Sequence, residues 1–128
     1  MSAAEIDAKY EVYKALQADI QSLYSMKQTS LSQFNENTLV KGELDLLGEE
    51  DSVFKLVGPA LMKVDLGEAT SNVAKRLEFI ESEITKLDNQ IAAKQGEQTK
   101  VGDEVKQLQS ALQKNAASAV QDIVDESS

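Results

Sequence analysis

A seven-residue repeat in the second half of the chain leaves little freedom in how that half can fold. Leu77, Ile84, Ile91, Gln98, Val105 and Leu112 fall at one seven-residue interval, and Val73, Ile80, Leu87, Lys94, Val101 and Leu108 at another. The two series interleave in steps of four and three, and ten of the twelve positions are aliphatic. A solitary helix of period 3.6 would drift out of this register over six heptads, so the pattern predicts a left-handed coiled coil. Six heptads rising about 1.5 Å per residue give a length of roughly 60 Å. Asp65 and Glu68 stand at capping-box spacing and mark the start, so this helix is predicted over 66–114.

The first half is helical on a less regular rhythm. Ile6, Tyr10, Tyr13, Ile20, Tyr24, Leu31 and Phe34 follow alternating steps of three and four, with Gln17 and Lys27 as polar members. After Phe34 the phase slips, and Val40, Leu44 and Leu47 fit another register. The reading is one helix over about 4–47 with a stutter near Asn35 to Thr38. Two shorter helices are the alternative. Gly48 is placed to close the helix in the left-handed conformation.

Between the helices the pattern changes. Val53, Phe54, Leu56 and Val57 make one β-prone run, and Leu61, Met62 and Val64 another. Gly58-Pro59 separates them, with Pro59 pre-set for the second position of a tight turn, which predicts a β-hairpin over 51–64. Residues 115–128 are small, polar and acidic, with Val120, Ile123 and Val124 as the bulky apolar members. A flexible tail is expected there.

Two long helices joined by a short segment return on each other. The predicted fold is mainly α: one domain over 1–128, a long antiparallel coiled-coil helical hairpin with a small β-hairpin between its helices. Both termini are then expected at one end and the β-hairpin at the other. A two-stranded hairpin is marginal alone in water. This one is apolar on both faces, with Phe54 and Leu56 pointing one way and Val53 and Val57 the other, around Lys55. Its open edges template pairing with another chain. Burying about five such side chains contributes roughly 1.5–3 kcal/mol each, so an oligomer held by inter-chain sheet formation is expected. Near the termini, Ile6, Tyr10 and Tyr13 are expected to face Val105, Leu108 and Leu112. Lys94 and Gln98 occupy core positions nearby, and Gly96 and Gly102 each lower helix propensity by about 1 kcal/mol against Ala. A weak seam beside apolar residues predicts arms that splay and present an interaction surface.

Composition removes several functions. The chain has no Cys, no His and no Trp, so disulfides and the usual Cys or His metal sites are excluded, as is imidazole-assisted nucleophilic catalysis. It also lacks a phosphate loop, so no enzyme and no cofactor is expected. The net charge of −9 opposes nucleic acid and acidic membranes. Lys75-Arg76, the adjacent basic pair, is expected to form surface pairs with Glu78, Glu81 or Glu83. Glu49-Glu50-Asp51 with Asp45 lacks the alternating spacing of a calcium loop and reads as a solvated turn. With neither a signal-type N-terminus nor a run of about 20 apolar residues, the cytosol is the expected compartment.

One stretch is more specific. Val53-Phe54-Lys55-Leu56-Val57-Gly58-Pro59-Ala60-Leu61, then Glu68-Ala69, then Val73-Ala74-Lys75-Arg76-Leu77-Glu78-Phe79-Ile80, closely resembles the beta-type subunits of prefoldin. The matching core runs from about residue 35 to 84, and the flanking helices match in kind rather than in motif. The resemblance implies a hetero-hexamer of two alpha-type and four beta-type subunits, with hairpins forming a β-barrel platform from which coiled-coil arms hang. It implies a nucleotide-independent chaperone whose arm tips hold unfolded actin, tubulin and other clients and pass them to the cytosolic chaperonin. On this reading Val53, Phe54, Leu56, Val57, Leu61 and Met62 contribute to subunit assembly. Ile6, Tyr10, Tyr13, Leu108 and Leu112 take the client-binding tip by position alone. The competing reading is a structural coiled-coil tether, which needs no hairpin-driven oligomer.

Overall fold

The computed structural model describes residues 3–48 and 50–127. The order is α1 (Ala3–Asp45), β1 (Val53–Val57), β2 (Ala60–Val64) and α2 (Leu66–Ser127). The chain divides into two compact units. One joins α1 up to Leu23 with α2 from Gln90 onward, and the other comprises Tyr24–Asn89, which includes the β-hairpin.

In the first unit the helices run antiparallel. Lys9 pairs with Glu104, Asp19 with Lys94 at 3.7 Å, and the Gln98 amide donates to Gln17 Oε1 at 2.6 Å. As the number rises on α1 it falls on α2. Leu16, Ile20 and Ile91 are buried between these partners. In the second unit Leu44, Ile80 and Leu87 are buried, and Lys27 pairs with Asp88 at 2.7 Å. Burial of each such Leu or Ile contributes about 1.5–3 kcal/mol.

The burial along α2 follows its heptads. Every repeat position from Val73 to Leu108 is buried or half-buried, and only Leu112 is exposed. On α1 one of the two expected series is confirmed and the other is displaced by one residue. Ile6, Tyr13, Ile20, Lys27 and Phe34 face inward. Their partners are Lys9, Leu16, Leu23, Ser30, Asn37 and Leu44, whereas Tyr10, Gln17 and Tyr24 are exposed and, of the expected series, Leu31 is half-buried. One residue is about 100° around a helix, enough to turn a side chain from seam to flank. One series therefore continues through Asn37 to Leu44, while the other stops at Phe34, with Lys41 exposed and Leu47, outside both series, half-buried. Leu44 belongs to the main register and Val40 lies outside it. Helix α1 also continues through Asn35 to Thr38, so the two-helix alternative fails. There the Asn37 amide donates to the Gln33 carbonyl and the Thr38 hydroxyl to the Phe34 carbonyl, each at 2.7 Å, so polar side chains are satisfied without breaking the helix.

The termini of the helices differ in how they are made. Leu46 N–H donates to Glu43 and Leu47 N–H to Leu44, tightening the last turn of α1. Gly48 does not adopt the expected left-handed conformation; its N–H donates instead to Asp51 Oδ2 at 2.8 Å. At the start of α2 the expected cap forms, with Glu68 N–H donating to Asp65 Oδ2 at 3.1 Å. Helix α2 runs to Ser127, well past the expected end at Lys114. Residues 115–127 contain neither Gly nor Pro to stop it, and all of them are exposed.

Candidate functional site

The hairpin begins with its turn. Gly58 has φ +58°, which Gly alone adopts without strain, and Pro59 follows with its fixed negative φ. Positive then negative φ is the signature of a II′ turn, whose twist suits a two-residue hairpin. Gly58 thus takes the second turn position and Pro59 the third, one place later than expected.

The register pairs Val53 with Val64, Phe54 with Lys63, Lys55 with Met62, Leu56 with Leu61 and Val57 with Ala60. Directly opposed residues share a face. Phe54, Leu56, Leu61 and Lys63 therefore form one face, and Val53, Lys55, Val57, Ala60, Met62 and Val64 the other. Neither is covered. Leu56 and Leu61 are each 68% exposed and Phe54 55%, while Val57 and Met62 are also exposed. Val53 is half-buried, beside Val64 at the base. The sheet has two strands, so the outer edge of each is open. The structure therefore brings the six expected assembly residues onto one small sheet whose apolar faces and edges meet solvent.

The expected tip residues separate. Ile6, Tyr13 and Leu108 are half-buried members of the helix seam, whereas Tyr10 is 51% and Leu112 37% exposed. The Tyr10 and Tyr13 rings stack in parallel with centroids 6.5 Å apart, and Lys14 Nζ sits 5.1 Å above the Tyr10 ring. Beyond Leu112, exposed Val120, Ile123 and Val124 continue along α2. The polar seam positions are not loose ends. The hydrogen bond and charge of Lys9 hold the Glu104 carboxyl below the usual carboxylate range, and the hydrogen bond to Asp88 holds Lys27 above the usual lysine range.

Sequence reasoning missed Leu16 and Leu23 in the seam, which a strict seven-residue count from Leu44 would have found. It also missed exposed Leu39, Leu46 and Phe79 in the hairpin-bearing unit. The expected pairs of Lys75-Arg76 with Glu78, Glu81 or Glu83 are absent among the described residues. Glu49 of the acidic turn lies outside those residues. Among them there is no cluster of metal-ligating side chains, and no helix is long and apolar enough to cross a membrane.

Helices paired in antiparallel register, joined by a two-stranded sheet whose outer edges stay open, define a coiled-coil hairpin subunit. The family model for prefoldin subunits matches residues 7–116. The chain is 37% identical to a probable prefoldin subunit 6 of Caenorhabditis briggsae, covering 92% of each chain. It is 36% identical to prefoldin subunit 6 of Mus musculus over 88% of this chain and 89% of that one. With prefoldin subunit 6 of Saccharomyces cerevisiae it shares 40% identity over 82% of this chain and 90% of the yeast protein. The crystal structure of the prefoldin beta subunit from Thermococcus strain KS-1 superimposes with a TM-score of 0.76 at 17% identity, over 80% of this chain and 90% of that one. The chain belongs to the prefoldin family, and its role is that of a chaperone subunit rather than an enzyme.

Proposed function

We propose that the chain assembles through its β-hairpin with alpha-type and other beta-type prefoldin subunits into a hetero-hexamer that holds unfolded polypeptides without nucleotide. The observation that carries this reading is the hairpin itself, with Leu56 and Leu61 opposed on one face and both largely exposed. Pairing its edges with neighbouring hairpins satisfies the open backbone groups and removes the apolar faces from water in one step. Assembly also gathers several weak client sites around one space, where effective concentration replaces individual affinity.

Client contact falls to the unit that contains the start of α1 and the end of α2. Tyr10 and Leu112 are its accessible members, with Ile6, Tyr13 and Leu108 behind them in the seam. The clients are unfolded chains of the actin and tubulin class, passed on to the cytosolic chaperonin, and the compartment is the cytosol. The test is suppression of aggregation of chemically unfolded actin by the assembled complex. Tyr10→Asp with Leu112→Asp in this subunit is expected to weaken suppression while leaving the complex intact. Undiminished suppression would remove the client role from these residues. A chain that never assembles would return the reading to a coiled-coil tether.

A further inference from the structure

Sulfur in this chain is confined to methionine: there are three Met and no Cys. Met26 and Met62 lie among the described residues, and their exposures are nearly equal, 54% and 56%. Their surroundings differ. Met26 stands on the solvated side of α1, outside the helix seam. Met62 stands on β2, directly opposite Lys55. It shares its sheet face with Val53, Lys55, Val57, Ala60 and Val64, so four of its five companions there are apolar.

An accessible thioether reacts with peroxide, and this chain holds no thiol that would compete for the oxidant. A sulfur lone pair attacks one oxygen of hydrogen peroxide. The S–O bond forms as the O–O bond breaks, and the other oxygen leaves as water with both protons. Sulfur is oxidised by two electrons and the peroxide is reduced by them. The product is a sulfoxide, a polar group with a strong acceptor oxygen.

Exposure decides where that oxygen becomes costly. In the free chain Met62 is open to water, so a sulfoxide there stays hydrated and the fold is undisturbed. Between the sheets of neighbouring subunits the same oxygen loses its water on a mostly apolar face, where an unsatisfied polar group is unfavourable. The cost therefore falls on assembly and not on folding. The converse also holds: a covered sheet shields Met62 from the oxidant.

We infer that Met62 is an oxidation site whose sulfoxide keeps the chain out of its assembly. The block is reversible, because sulfoxide reductases return the group to a thioether. This rests on the hairpin assembly reading above and adds redox regulation to the same surface.

The test treats the free full chain, and the complex with its partner subunits, with hydrogen peroxide and follows both methionines by mass spectrometry. In the free chain Met26 and Met62 are expected to oxidise at rates within about threefold of each other; in the complex Met62 is expected to slow at least about tenfold while Met26 keeps its rate. Titration with an alpha-type prefoldin subunit is expected to give a dissociation constant about tenfold higher for the oxidised chain, with unchanged circular dichroism. Reductase treatment restores the original value. Each variant is compared with itself before and after peroxide: Met26→Leu keeps the shift and Met62→Leu abolishes it. Where Met62→Leu itself prevents binding, the Met26→Leu chain decides, because its loss of affinity must track the fraction of Met62 sulfoxide and reverse with the reductase. An equal shift in the Met62→Leu chain, or none in the wild type once Met62 is fully oxidised, would overturn the inference and leave the assembly reading standing. Equal rates for Met62 in the complex and in the free chain would overturn it too. Loss of the assembly reading has its own signature, an unoxidised wild-type chain that does not bind the alpha-type subunit at all, and the inference falls with it.

Discussion

The ring of Tyr13 lies close against Gly102: a Cβ there would sit 3.3 Å from Tyr13 Cε2, so the ring would have to give by a few tenths of an ångström. Gly102 is therefore the floor on which an aromatic seam residue rests, rather than a mere weak point in α2. Gly96, earlier on the same helix, has open space around it.

The two glycines are predicted to respond differently to alanine. Gly96→Ala gains the helix propensity of about 1 kcal/mol without a clash. Gly102→Ala gains the same propensity but crowds Tyr13, and overpacking of this sort costs about 1–3 kcal/mol. Chemical denaturation is expected to show stabilisation for Gly96→Ala and none for Gly102→Ala. Equal stabilisation would mean that the Tyr13 ring yields freely.

The inward register of α1 separates Leu16 from Tyr10. Leu16→Ala is expected to cost about 2–5 kcal/mol, as deletion of a buried leucine does. Tyr10→Ala removes an exposed ring and is expected to cost under about 1 kcal/mol. The comparison is made by thermal melting of the two variants, and a reversed order would restore Tyr10 to the seam.

The seam ion pairs set a pH window. The carboxyl of Glu104 titrates below its ordinary 4.5 because Lys9 donates to it, so its contribution is complete above that value and is lost as pH falls through the lowered one. Lys27 titrates above its ordinary 10.5 because of Asp88, so its contribution is complete below that value and is lost as pH rises through the raised one. Glu104→Gln is expected to make the acid limb of the melting-temperature profile shallower and to leave the alkaline limb unchanged. The effect is small and shrinks in high salt, because both partners are solvent-accessible.

The hairpin turn depends on one backbone angle. Gly58→Ala places a Cβ in the left-handed region at a cost of about 1–2 kcal/mol. Weaker binding to an alpha-type subunit, with unchanged helical content, is the expected result.

Where the sequence spoke plainly, apolar residues alone filled the pattern. The α2 heptads from Val73 to Ile91 could be read because every repeat position in that stretch is aliphatic. The hairpin was legible because β-prone runs flank Gly58-Pro59, although which turn position the proline takes depends on φ at Gly58. The α1 register was harder. Its inward set includes Lys9, Ser30 and Asn37, which pattern reading discounts, while Tyr10 and Tyr24 advertise a face that is solvated. Those polar positions make sense only once the partner helix is in place, as Lys27 with Asp88 and Lys9 with Glu104 show. The concavity beside the hairpin was illegible for the same reason: Val40, Val53 and Arg76 are distant in sequence and line it together only in the folded unit.

The most direct test of the account is the solution mass, by light scattering, of the chain mixed with an alpha-type prefoldin subunit, for the wild type and for Leu56→Asp with Leu61→Asp. The account predicts a hexamer for the wild type and no mass shift for the variant, whose helices persist by circular dichroism. A variant that still forms the hexamer would contradict the hairpin as the assembly site.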